Sequence, residues 1–208
     1  MGYELNKSKR VLPCIALVAF SLTGCGGSST GSTPIESLYD SRVSELATAR
    51  SDAMALGRED TVALPTSGSA TYEGDMRLDV SPTAGPDRSI VGDFYIDVSF
   101  AAGNSSAFDG AASGFIDSND QDYSGTLIIS GGQIFRLVNP AAGATLDSFI
   151  DGDLIGPNGE VISVDGLTIG DLYGLGYTFV VGDVIGDAMV DGVAADLSGE
   201  FLGVQGAP

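Results

Sequence analysis

Residues 69–80 read SATYEGDMRLDV, and they sort cleanly by parity. Tyr72, Gly74, Met76, Leu78 and Val80 stand on even positions, Thr71, Glu73, Asp75, Arg77 and Asp79 on odd ones. A period of two is that of an extended strand with one face against a core and the other in water. Residues 89–100, SIVGDFYIDVSF, repeat the pattern, with Ile90, Gly92, Phe94, Ile96, Val98 and Phe100 set against Asp93, Asp97 and Ser99. PTAGPD between the two stretches reads as a turn. A register slip of one residue would bury the aspartates, so the pairing is tightly specified.

Shorter strands are expected at Phe108–Ile116, Tyr123–Ser130, Gln133–Val138, Phe149–Leu154, Glu160–Val164, Tyr177–Ile185 and Val193–Val204. NDQD, SGG, NPAAG and GPNG punctuate them, with Pro157-Asn158-Gly159 the clearest tight turn. Regular short strands with turn signals point to a barrel or a sandwich. Glycines recurring on the apolar face (Gly74, Gly92, Gly110 and Gly114) fit a small barrel whose strands bend sharply.

Upstream the period changes. Leu38, Val43, Leu46, Ala49 and Ala53 fall near helical spacing, and Thr33-Pro34 with Glu36 is an N-terminal capping pattern. One amphipathic helix is expected over residues 35–58, ending at Gly57 and packing its apolar stripe on the body that follows. Residues 25–34 form a Gly/Ser/Thr tether with no means of building a core. Residues 1–24 carry Lys7, Lys9 and Arg10 ahead of VLPCIALVAFSLTG, a leader whose apolar run is too short for a spanning helix of about 20 residues. Leu22-Thr23-Gly24-Cys25 resembles a bacterial lipobox, which implies cleavage before Cys25 and acylation of that residue. Several acyl chains at about 0.8 kcal/mol per buried methylene make a stable membrane anchor. Residue 26 is Gly, not Asp, so delivery to the outer membrane is the expected default.

Loss of residues 1–24 would remove three of the nine basic residues and one of the 28 acidic ones, leaving six against 27 and a net charge of −21. Such a surface repels phosphates, which argues against nucleic-acid partners. Histidine and tryptophan are absent, so a Ser-His-Asp triad, the commonest metal ligand and the usual base near neutral pH are all missing. Cys14 would leave with the leader, and the mature chain would hold no free thiol. No catalytic residue and no enzyme activity are expected; the expectation is an outer-membrane lipoprotein whose small barrel binds a protein or a small ligand through its loops.

SGSATYEGD, VGDFYIDVSF, AFDGAASGFI and VIGDAMVDGVAADLSGEFLG together resemble the β-barrel domain of transferrin-binding-protein-B-like surface lipoproteins. The opening phrase of that family corresponds to Gly68, Ala70, Tyr72 and Gly74, and the closing phrase to Asp196–Gly203, so the likeness spans roughly residues 64–206. It implies a mainly β chain, an eight-stranded antiparallel β-barrel after the helix, display at the cell surface, and binding of a protein or iron-bearing ligand. One barrel stands here where the full transferrin receptor has two barrel-plus-handle lobes, and no contact residue carries over.

Asp117, Asn119, Asp120 and Asp122 gather oxygen ligands in one loop and form a candidate calcium site, although Gln121 breaks the EF-hand pattern. No other cofactor is expected. Asp147, Asp151 and Asp153 make a second acidic group, and Tyr173 and Tyr177 are candidate ligand-facing aromatics at a barrel rim. Two rival readings share the alternating pattern or the acidic loops: an integral eight-stranded outer-membrane barrel, and a calcium-dependent adhesion or structural protein of the envelope. The lipobox, the helix and the scarcity of aromatic girdles speak against the integral barrel.

Overall fold

The computed structural model describes residues 37–59, 64–101, 105–136 and 144–206. The leader, the tether and Cys25 lie outside the described residues. Helix α1 (Leu38–Ala55) precedes eight strands: β1 (Ser69–Pro82), β2 (Arg88–Ser99), β3 (Phe108–Asp117), β4 (Asp122–Arg136), β5 (Ala144–Ile155), β6 (Val161–Tyr173), β7 (Phe179–Val190) and β8 (Val193–Gln205). Each strand runs antiparallel to the next, and β8 returns to β1 through pairs such as Met76 with Phe201 and Gly74 with Gly203. The sheet is thus an eight-stranded closed barrel.

The even positions of β1 and β2 point inward as their parity requires. Tyr72, Met76, Leu78, Val80, Ile90, Phe94, Ile96 and Val98 are all buried. They join Phe115, Leu127, Ile129, Ile150, Leu154, Ile162 and Leu172 in one core. Aromatic rings occupy the space that inward glycines leave. Phe94 and Phe201 stack with ring centroids 4.9 Å apart, and a Cβ placed on Gly182 would run into the Phe201 ring. Small and large residues alternate across facing strands because a narrow barrel has no room for two large ones. The polar groups within are matched: Ser148 and Thr168 share a hydrogen bond across β5 and β6, and the Tyr72 hydroxyl donates to the Tyr177 carbonyl at 2.9 Å.

The charged residues of the strands point outward, including Asp93, Asp97, Asp109, Asp151, Asp165 and Asp187. An apolar interior within a carboxylate-bearing wall is the inverse of a membrane-spanning barrel, whose lumen is polar and whose wall meets lipid. The barrel is therefore of the soluble type.

Several boundaries differ from the sequence expectation. Tyr123–Ser130 and Gln133–Val138 are not two strands but parts of β4, which passes through a bulge at Gly131-Gly132 where the register with β5 shifts. Both glycines have positive φ (73° and 65°), so the SGG that reads as a turn bends one continuous strand instead. Val138, the expected end of that stretch, lies outside the described residues. β6 runs on to Tyr173, nine residues beyond Val164, because Gly166 and Gly170 face inward in a strand rather than marking a loop. β5 starts at Ala144, ahead of the expected Phe149.

α1 lies against the outer wall and makes both faces of the wall dry where it passes. Leu46 and Ala53 cluster with Val181, Leu202 and Tyr173, and Tyr39 with Val91 and Ile116. The helix is capped by Ser37, whose hydroxyl accepts from the Asp40 amide at 3.0 Å; the expected Thr33-Pro34 and Glu36 pattern lies outside the described residues. Leu38, expected in the apolar stripe, is exposed, and Tyr39 is buried in its place. At the far end Gly57 adopts φ +82°, the left-handed turn that ends a helix.

Candidate functional site

With the interior filled by side chains, ligand chemistry falls to the loops and the outer wall, and α1 covers part of that wall. Its two arginines, and a third just beyond its end, fix it. Arg42 Nη2 pairs with Asp93 at 2.7 Å and also reaches Asp75. Arg50 pairs with Asp183 at 3.0 Å and Glu200 at 3.1 Å, and donates to the carbonyls of Phe201 (2.8 Å) and Gly182. Arg58 follows at the helix end and pairs with Asp171 at 2.7 Å. Burial pushes the Asp171 carboxyl above its ordinary range, with Arg58 pulling it back, and its Oδ1 is buried without a hydrogen-bond partner. Arg77 joins Asp79 and Glu200, Arg88 approaches Glu160, and Arg136 donates to the carbonyls of Leu64 and Phe100. Beside Glu160, burial pushes the Tyr123 hydroxyl up to about 12.

The wall of β5, β6 and β7 beyond the helix is different. Phe149 lies opposite Leu167, which lies opposite Ile185, so three apolar side chains form one row across three strands. They are 58 %, 37 % and 49 % exposed. Asp151, Asp165, Asp187 and Asp196 form the next row, each opposite its neighbour on β5 to β8. Among the described residues no ion pair joins any of the four to a cation. Like charges directly opposite on adjacent strands are destabilising, by a few tenths of a kcal/mol to about 1 kcal/mol a pair. A groove lined by Phe149, Asp165, Gly166, Leu167, Ile185 and Asp187 runs beside the apolar row, and a second one, lined by Gln133, Asp147 and Ser148, lies on the other side of Phe149. No family model matches the chain, and no curated protein matches it. The chemistry of this wall therefore stands on its residues.

The other candidates have structural partners. Asp117 Oδ1 accepts from the amides of Asn119 (2.8 Å) and Gln121 (3.0 Å), closing the β3–β4 turn. Asp120 accepts from the amides of Tyr39 (2.8 Å) and Leu38 (3.2 Å) and so caps α1 from a distance of some eighty residues. Asn119 and Asp122 are exposed in the same turn. Among the described residues, no group of three or more acidic or sulfur ligands is placed to hold a metal ion. Asp147, Asp151 and Asp153 share the outward face of β5 rather than a loop, and Asp147 accepts from the Gln133 amide at 3.1 Å. Tyr173 is buried under the end of α1, and Tyr177 (φ 62°) stacks on Phe100 at 5.8 Å, so both aromatics serve packing.

The Asp120 cap carries a prediction. Asp120→Ala removes the carboxylate that accepts from the first two helical amides, and the loss should be about 1 kcal/mol. Amide exchange at Leu38 and Tyr39 should quicken while the strands keep their protection. Unchanged exchange at both amides would show that the cap does not hold the helix.

Nothing in the sequence marked the apolar row. Phe149, Leu167 and Ile185 are eighteen residues apart, and only the strand register brings them side by side.

Proposed function

We propose that the chain is a lipid-anchored, non-enzymatic binding module of the bacterial outer envelope, displayed at the cell surface, whose ligand is a protein. The observation that carries this reading is the barrel wall: charged outside, closed over a filled apolar interior, and bearing on β5, β6 and β7 an exposed apolar row amid carboxylates without cations among the described residues. A filled interior leaves no chamber for a small ligand of lipocalin type, and an exposed apolar row with a polar rim is the ordinary make-up of a protein-binding patch. Cys25 in its lipobox-like setting supplies the anchor, residues 26–34 the stand-off, and the missing histidine removes the usual catalytic base. The likeness to transferrin-binding-protein-B-like lipoproteins supports surface display.

The test is made in a Gram-negative host. Cys25→Ser should abolish metabolic labelling with palmitate and release the protein into the carbonate-soluble fraction. Protease added to intact cells should remove the unaltered protein. A Cys25→Ser protein that stays in the membrane after carbonate extraction would replace this reading with an integral barrel. Resistance to protease until lysis would move the module to the periplasmic side.

A further inference from the structure

β7, which carries Ile185 of the apolar row, also carries part of α1 through Val181, and it does so with a repeated phrase. β7 contains Val181-Gly182-Asp183 and then Ile185-Gly186-Asp187. β6 contains the phrase reversed, Asp165-Gly166-Leu167, followed by the phrase in the same order, Ile169-Gly170-Asp171. The register sets Gly182 against Gly170 and Gly186 against Gly166, so the outer wall carries two neighbouring patches of the same residue types; in the first Val181 faces Asp171 and Asp183 faces Ile169, in the second Ile185 faces Leu167 and Asp187 faces Asp165.

The first patch is occupied. Arg50 donates to the Gly182 carbonyl and pairs with Asp183, Arg58 pairs with Asp171, and Leu46 and Ala53 cover Val181. The second patch offers the same elements: Ile185 and Leu167 as the apolar floor, Phe149 as its rim, the backbone of Gly166 and Gly186 in a groove, and Asp165 and Asp187 beside it. Every arginine among the described residues is engaged elsewhere, and lysine does not occur after residue 9.

We infer that the second patch is the docking surface for an arginine-bearing amphipathic helix of a partner protein, seated there as α1 is seated on the first. This rests on the reading of the chain as a protein-binding module. Charge selects the occupant. A second copy would set one acidic wall against another, each chain carrying a net −19, and an anionic lipid surface or nucleic acid is repelled for the same reason. α1 itself is held on the first patch by Arg50, with Arg58 pairing there just beyond the helix end.

The test uses the purified full-length chain in non-ionic detergent and a labelled synthetic peptide. The peptide is helical and places arginine, leucine and arginine four residues apart, the spacing of Arg42, Leu46 and Arg50. Its control has glutamate in place of arginine. Fluorescence anisotropy at about 50 mM salt, where screening is incomplete, should show saturable binding of the arginine peptide only. Leu167→Ser with Ile185→Ser, and separately Asp165→Asn with Asp187→Asn, should each weaken binding about tenfold or more. Asp97→Asn with Asp109→Asn removes the same charge from the facing pair on β2 and β3, and should weaken it less than about twofold. Circular dichroism of each variant establishes that the barrel is folded.

Equal weakening by the two aspartate pairs would reduce the effect to general attraction and overturn the inference. So would the absence of saturable binding, or a dimer in sedimentation that Leu167→Ser dissolves, which would name a second copy as the occupant. If Cys25 and surface display behave as proposed while the peptide fails, the docking surface falls and the module reading stands.

Discussion

Phe201→Ala is expected to cost about 3–5 kcal/mol of folding stability, the upper range for a buried aromatic truncated in a core. The ring is 2 % exposed, stacks on Phe94, and lies over the inward faces of Gly170 and Gly182. Collapse around the void is blocked because the nearest wall residues are glycines, with no side chain to move inward. Urea unfolding, read by far-ultraviolet circular dichroism, measures the loss. A paired variant checks the cause. A Cβ on Gly170 would lie 3.1 Å from Phe201 Cζ, 3.0 Å from the Val181 carbonyl oxygen and 3.4 Å from Gly182 Cα. Gly170→Ala should therefore destabilise the unaltered barrel and cost about 1 kcal/mol less once Phe201 is alanine. A Phe201→Ala variant within 1 kcal/mol of the parent would mean that the barrel interior is not filled.

The same ring shows how much of the architecture could be read beforehand. Inward and outward faces of β1, β2 and most of β8 were legible, because parity alone assigns a side chain to water or core once one face is charged. β6 was legible only at its ends, where Ile162, Val164 and Leu172 face inward; between them Gly166, Thr168 and Gly170 give no apolar signal, and the large partner that completes them, Phe201, is on β8. The bulge at Gly131-Gly132 was misread because two glycines with left-handed φ give the same local signal in a turn and in a bent strand. Candidate site residues suffered more. Acids clustered around Asp120 mark it as a candidate calcium ligand, but no local pattern shows that it also accepts from the amides at the start of α1, far away in the chain. The apolar row and the repeated Gly-Asp phrases became meaningful only when the register set β5, β6 and β7 side by side. Pattern within a strand is a local property; patches on a wall are not.

Arg50→Met is expected to cost about 2–3 kcal/mol, from the loss of charge-assisted hydrogen bonds on a largely buried side chain. Arg50 is the one residue of α1 that meets two carboxylates and two strand carbonyls at once, reaching Asp183, Glu200, Gly182 and Phe201. Its side chain is 14 % exposed, and methionine keeps the apolar stem while removing the fork. Arg50→Lys should recover less than half of the loss, because an ammonium on a flexible stem cannot meet partners on both sides of a planar guanidinium. The loss should also be unevenly distributed. Amide exchange across α1 and at Val181 and Leu202, which the helix covers, should accelerate, while Ile150 and Leu127 on strands away from that contact keep their protection. The reason is structural: the ladder of eight strands closes without the helix, so α1 adds to the outer wall but completes no hydrogen-bond ring of the barrel. Uniform acceleration across all eight strands would contradict this, because it would make helix and barrel a single cooperative unit in which the first patch on the wall must be filled for the sheet to close.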